Sequence, residues 1–163
     1  MENGQVIIHN IPPVWDSNSR LMILGSFPSE ASRKSGFFYG HKRNRFWKVM
    51  AEITNCPVPE SVGEKTSLLH NNHIALWDVV SSCDIDGSSD ISIRNVIPND
   101  IGEIIASSQI ERIYANGTAA AVLYRKLIFP NTGIECRQLP STSPANASWT
   151  CERLCEAWRE IIF

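Results

Sequence analysis

Four short apolar runs constrain this chain more than anything else in it: RLMILGS at 20–26, HIALWDVV at 73–80, ERIYANG at 111–117 and GIECRQLP at 133–140. The first three are close to continuous in apolar character. A strand with one wet face must alternate, so a continuous run of this length fits a strand covered on both faces, as in a parallel sheet. Between and after the runs lie segments with helical spacing. NRFWKVMAEIT places Phe46, Val49, Met50 and Ile53 together, and ESVGEKTSLLHNN follows it. PNDIGEIIASS begins with Pro98 and Asn99 as natural first residues of a helix, and TAAAVLYRKLIF succeeds the third run. SWTCERLCEAWREIIF aligns Leu154, Ala157, Trp158 and Ile161 on one stripe. Strand and helix alternate throughout, which predicts an α/β fold: a three-layer α/β/α sandwich around a four-stranded parallel sheet, with right-handed crossovers.

A length of 163 residues, 43% of them hydrophobic, suits a single domain spanning 1–163 with its own core. There is no internal repeat, low-complexity tract or linker. The five cysteines, Cys56, Cys83, Cys136, Cys151 and Cys155, are odd in number and lack a Cys-x-x-Cys spacing, which argues against a disulfide framework and for a reducing compartment. Cys151 and Cys155 share a helical face, but a metal site there would need ligands from scattered positions, so no metal is expected. The N-terminal MENGQVIIHNIPPVW has no long apolar core, and no run approaches the roughly 20 residues of a membrane span. A soluble, cytoplasmic protein is expected, without membrane contact.

In such folds ligands bind beyond the carboxyl ends of the strands, so the residues following each strand carry the functional argument. After the first comes GSFPSEASRKSGFFYGHKRNRFWKVM, read as a tight turn at Gly25 to Pro28 followed by a long loop to Arg45. Arg33, Lys34, Lys42, Arg43, Arg45 and Lys48 supply six of the 15 basic residues, and no Asp or Glu occurs from Ala31 to Arg45. The formal net charge of −2 conceals this local excess. With Phe37, Phe38 and Tyr39 interleaved, the composition is that of a surface gripping nucleic acid, or else of core aromatics beside a solvated loop. Asn44 is an uncharged amide among cations: the cap of a helix starting at Arg45, a polar group aimed at substrate, or both.

After the second strand, Asp78 sits inside an apolar run and must be paired or line a polar pocket. Asp84, Asp86 and Asp90 follow in a Gly/Ser loop that lacks the calcium-loop pattern and reads as a solvated lip. After the third, Asn116 and Gly117 turn directly into a helix, where backbone amides can receive an anion or a base carbonyl. After the fourth, Pro140 and Pro144 stiffen a loop of small hydroxyl residues, LPSTSPANAS, able to approach a phosphate backbone. Gly-x-Ser-x-Gly, His-Glu-x-x-His and zinc-deaminase patterns are all absent.

GSFPS, YGHKRNRFWKVM and LPSTSPA, in this order at the strand ends, resemble the motifs of the uracil-DNA glycosylase superfamily. Its mismatch-specific members carry a Gly-x-Asn-Pro-Gly turn, a His-x-x-Asn-x-Phe-Trp-Lys segment and a Pro-Ser-x-x-Ser loop. The Ser-Phe form of the first motif most resembles the hypoxanthine-DNA glycosylase branch. Two positions depart from the wider superfamily: Phe27 stands where a water-orienting Asn or Asp is usual, and Leu139 where the last motif often opens with His or Asn. The resemblance implies a monofunctional, cofactor-free glycosylase acting as a monomer on DNA with deaminated bases. It makes Asn44 the catalytic residue, with its carbonyl orienting the water. Ser26, Phe27, Phe38, Tyr39, Asp78 and Asn116 would form the base pocket, with Tyr39 or Phe38 stacking on an extruded hypoxanthine. His41, Lys42, Arg43, Arg45, Ser141, Thr142 and Ser143 would hold DNA. Two rivals remain at this point: a sister glycosylase preferring uracil or another deaminated base, and a non-catalytic DNA-binding module of the same fold.

Overall fold

Leu21, Met22, Ile23 and Leu24 are all at 0% exposure, which only a strand covered on both faces allows. They lie in β2 (Leu21–Gly25), at the centre of a four-stranded sheet in the order β3-β2-β6-β7, with β3 Ile74–Asp78, β6 Arg112–Asn116 and β7 Cys136–Leu139. All three pairings are parallel. This is the three-layer arrangement expected. The computed structural model describes residues 5–8, 11–85 and 94–162.

Alternate residues of each strand enter different cores. Leu21, Ile23, Ile74, Leu76, Tyr114 and Leu139 pack with α2 (Phe46–Thr54), α3 (Val62–Asn71) and α7 (Cys151–Trp158). Met22, Leu24, Ala75, Ile113 and Ala115 face α4 (Gly102–Ala106) and α5 (Thr118–Leu127). Removing a large aliphatic side chain from either core costs about 2–5 kcal/mol. Register matters more for function. Gly25 lies opposite Asp78 and Leu24 opposite Ala115, while Asn116 lies opposite Leu139, so the strands finish at one level and bring their terminal residues together.

Several boundaries differ from the sequence expectation. The loop after β2 is not irregular throughout: Glu30–Ser35 forms α1, capped by the Ser29 hydroxyl, which accepts from Ser32 N, and closed at left-handed Gly36. The second apolar run is two strands. β3 stops at Asp78 because Val79 N and Val80 N turn to donate to the carbonyls of Gly25 and Ser26, and β4 (Val80–Ile85) leaves in a new direction. With β1 (Gln5–Ile8) and β5 (Arg94–Pro98) it forms a separate antiparallel sheet in the order β1-β4-β5. The stretch expected to be a lip is therefore a strand as far as Ile85; Asp84 accepts from Asn95 Nδ2 at 2.5 Å, and Asp86 and Asp90 lie outside the described residues. Pro98 closes β5 rather than opening a helix. Asn99 is drawn to the end of β3, its backbone N donating to Val79 O at 2.7 Å and its side chain to Asp78 O at 2.9 Å, so α4 starts at Gly102. The short α6 (Phe129–Thr132) follows α5, and α7 ends in a 3₁₀ turn over Arg159–Ile161.

Candidate active site

The carboxyl ends of β2, β3 and β6, the loop around α1 and the loop after β7 enclose a cavity of about 250 Å³, room for one planar base. Asn44, Ser26, Phe27, Phe38, Tyr39, Asp78, Asn116, His41, Ser141, Thr142 and Ser143 all line it. Lys42, Arg43 and Arg45 do not. Ser29 and Ser32 also line it and were missed by sequence reasoning. Their signal was local: Ser29 sits one residue beyond Pro28, and a serine there caps the helix that turns the loop back over the cavity. Ser32 is 2% exposed and its Oγ accepts from Gly40 N at 2.9 Å, which fixes the aromatic segment next to it.

Hydrogen bonds orient the amides of the site. Asn44 Oδ1 accepts from Phe46 N at 2.9 Å and from the Thr142 hydroxyl at 2.8 Å. Thr142 Oγ1 in turn accepts from Asn116 Nδ2 at 3.0 Å, and Thr142 N donates to Asn116 Oδ1 at 3.1 Å. Asn44 is thus both an anchor for the start of α2 and a wall of the cavity. A carbonyl oxygen has two lone pairs and both are taken here. The carbonyl-held water expected from the sequence has no vacant lone pair to use, and the end of the Asn44 amide without a protein partner among the described residues is Nδ2.

Arg45 corrects an expectation. Its guanidinium donates to the carbonyls of Trp149, of Ser143 at 2.9 Å and of Asn146 at 3.1 Å, and its backbone N donates to Thr142 O at 3.1 Å. A side chain so engaged holds the loop after β7 instead of a phosphate. The same loop is stiffened from within, as Ser141 Oγ accepts from Ser143 N and Ser143 Oγ from Ala145 N, both at 3.1 Å. Gly117, at φ +95°, must stay small because a Cβ there would come within 3.0 Å of Ser141 Cβ. Lys42 and Arg43 are exposed on the neighbouring turn, and Arg43 N donates to His41 Nδ1 at 3.1 Å.

The aromatic residues divide. Phe38 is 2% exposed and fixed by Trp47 Nε1, which donates to its carbonyl at 3.0 Å. Phe27 is half-buried with the Arg33 guanidinium 5.5 Å from its ring centre. The Tyr39 ring is already stacked on Phe46, with centroids 4.2 Å apart, so one of the two faces expected to serve a base is covered. Its hydroxyl and the Asp78 carboxyl group crowd Gly25: a Cβ there would stand 2.5 Å from Asp78 Oδ1 and 3.0 Å from Tyr39 Oη, a space only glycine leaves open. Burial, reinforced by the negative charge of Asp78, pushes the Tyr39 phenol far above its ordinary range, and a hydrogen bond with the Asn116 side chain works the other way. Leu139 is 2% exposed in the core. Among the described residues no three His, Cys, Asp or Glu side chains group as metal ligands. Cys155 is pushed up to about 11, by burial first and then by Cys151, which keeps it a thiol at neutral pH.

A parallel sheet with a base-sized cavity at its carboxyl edge, walled by clamped amides and a serine-rich loop, defines a class that comparison with known proteins identifies. The uracil DNA glycosylase superfamily model matches residues 12–162, and the chain belongs to that superfamily. It is similar to the hypoxanthine DNA glycosylase of Methanosarcina acetivorans, at 31% identity over 159 residues, covering 96% of this chain and 99% of the relative. The hypoxanthine DNA glycosylase of Methanosarcina barkeri is 35% identical over 86 residues, covering 52% of this chain and 54% of that protein. Among solved structures, the solution NMR structure of a candidate uracil DNA glycosylase from Methanosarcina acetivorans superposes with a TM-score of 0.79 at 27% identity, over 96% of this chain and 99% of that one.

Proposed function

We propose that this enzyme, a DNA glycosylase hydrolysing N-glycosidic bonds, removes hypoxanthine from DNA and leaves an abasic site, with Asn44 as the catalytic residue. The observation that carries the proposal is the clamped Asn44 amide on the cavity wall. It is a fixed polar group in a site where Phe27 supplies an apolar ring and Leu139 is withdrawn into the core. The two curated relatives named for hypoxanthine support the choice of base.

Cleavage of a purine deoxynucleoside passes through a sugar with oxocarbenium character, which asks more for a positioned water than for a strong base. Asn44 Nδ2 donates to one lone pair of that water, leaving the other to form the bond to C1′. The C1′–N9 bond breaks, its electron pair leaves with the base, and the proton lost by the water passes to solvent. Extrusion of the nucleotide brings the base into the cavity, and Lys42 and Arg43 hold phosphates outside it. No lysine lines the cavity among the described residues, so a Schiff-base lyase step has no amine to start from.

Oligonucleotides bearing a single inosine, uracil or xanthine, treated with the protein and then with alkali, test the choice of base. Breakage of the inosine strand is expected, while breakage of the uracil strand alone would overturn it. Asn44→Ala should slow release of hypoxanthine by about a hundredfold or more, since a misplaced reactant costs on that scale. The same change removes a helix-starting bond and should lower stability by about 1 kcal/mol. Full activity in a folded variant would remove Asn44 from the chemistry.

A further inference from the structure

Two tight turns frame the mouth of the cavity. Among the described residues that line it, only His41 and Pro144 are exposed, so the opening lies between them. Each belongs to a four-residue turn closed by one backbone bond: Asn44 N donates to His41 O at 3.0 Å, and Asn146 N donates to Ser143 O at 3.0 Å. DNA laid across the mouth meets the tips first, Lys42 and Arg43 on one side and Pro144 and Ala145 on the other, and all four are exposed.

The second tip is pinned. The Arg45 guanidinium holds the carbonyls at both its ends, of Ser143 at 2.9 Å and of Asn146 at 3.1 Å, and Ala145 N donates to Ser143 Oγ at 3.1 Å. Proline adds a fixed φ. This turn therefore presents to a base stack one methyl group and a pyrrolidine ring that already serves as cavity wall. The first tip presents cations, which lose hydration on entering a stack and are satisfied by phosphate instead. The His41 ring is folded onto its own turn, its Nδ1 accepting from Arg43 N at 3.1 Å. The large apolar side chains exposed among the described residues, such as Val6, Ile8 and Ile97 on the second sheet, line no part of the cavity.

A nucleotide taken out of a duplex leaves a gap in the stack and a partner base without its pair. Proteins that open a duplex commonly fill the gap with a large apolar side chain, which offsets the unstacking. Where small groups face the gap, the whole cost of unpairing and unstacking falls on extrusion, and that cost is least for a base already unpaired.

We propose that the substrate is hypoxanthine in single-stranded or locally unpaired DNA, and that fully paired DNA is a poor substrate. The inference rests on the glycosylase reading above and names the form of DNA that its site takes. For a single strand the two turns suffice: Lys42 and Arg43 hold the backbone on one rim, and a base turns inward past Pro144 without leaving a partner behind.

The test varies pairing and keeps the sequence around the lesion constant. Single-turnover release at saturating protein is measured for one inosine-bearing strand in three forms: alone, annealed to its full complement, and annealed to a complement that mismatches the inosine and its neighbours. Saturation removes differences in affinity, so the rates compare extrusion and chemistry. The single strand is expected to react about thirty- to a hundredfold faster than the duplex, and the mismatched bubble to recover most of that difference. Ala145→Leu puts a filler at a turn position open to most residues. It should speed the duplex by about fivefold or more and leave the single strand within about twofold. A duplex as fast as the single strand overturns the inference, and so does a bubble as slow as the duplex. An Ala145→Leu protein with an unchanged duplex rate overturns it too, because the tip would then face away from the stack. Protein inert on inosine in all three forms but active on uracil overturns the hypoxanthine reading instead, and the same three forms carrying uracil then decide the question of pairing.

Discussion

Thr142 has one hydroxyl and two amides to serve. It accepts from Asn116 Nδ2 and donates to Asn44 Oδ1, and at 0% exposure no solvent can replace it. Sequence reading placed this residue among phosphate contacts because hydroxyls in a Pro-bounded loop usually serve there. Which way a side chain turns is set by neighbours far along the chain, so the relay could not be read from the motif. Thr142→Val keeps the volume and removes the link, leaving Asn116 Nδ2 without this acceptor and Asn44 Oδ1 with Phe46 N alone. The expected result is a loss of about 1–3 kcal/mol in stability. A fall in kcat of about tenfold, with KM for DNA little changed, is also expected from the proposed role of Asn44, whose amide oxygen the Thr142 hydroxyl holds. A rise in KM with kcat intact would return Thr142 to the phosphate-binding residues.

At the scale of elements, the strand ends were the legible part. A strand buried on both faces must be apolar along its length, so the first polar or small residue marks where it leaves the core, and Gly25, Asp78 and Asn116 were found in that way. The second sheet was not legible. Its strand Gln5–Ile8 meets β4 across 74 to 80 residues of chain, while Arg94–Pro98 is its near neighbour in sequence, and short segments without a strong period mark neither pairing. Arg45 is the instructive case. Its charge was plain and its direction was not, because the three carbonyls it serves belong to a loop that follows β7. Arg45→Met should release that loop: stability is expected to fall by about 3 kcal/mol, as bonds from a charged donor disappear, and amide exchange over residues 141–149 should accelerate. Unchanged exchange there would mean that the serine turns hold the loop without it.

For the whole molecule, a net charge of −2 gives no general attraction to DNA, so approach depends on where the cations stand. Lys42 and Arg43 are exposed beside the cavity-lining residues His41 and Asn44, while Arg45 is withdrawn. Changing Lys42 and Arg43 to Ser should weaken binding to any DNA sequence. The slope of log affinity against log salt should decrease in magnitude by about 1.8, at about 0.9 for each phosphate of duplex DNA no longer neutralised. An unchanged slope measured by anisotropy titration would place the DNA on another face.

The clip between the two loops also has a consequence for biosynthesis. Every partner of the Asn44 and Arg45 side chains that closes the site from the far loop lies 98 to 104 residues further along. A chain still emerging from the ribosome holds the first motif long before it holds Thr142 or Trp149. Its Asn44 then has only Phe46 N to fix it, and the wall that would stand opposite an extruded nucleotide has not yet been made. The cavity wall is therefore complete only once residues 142–149 have met the first motif, late in the synthesis of the chain.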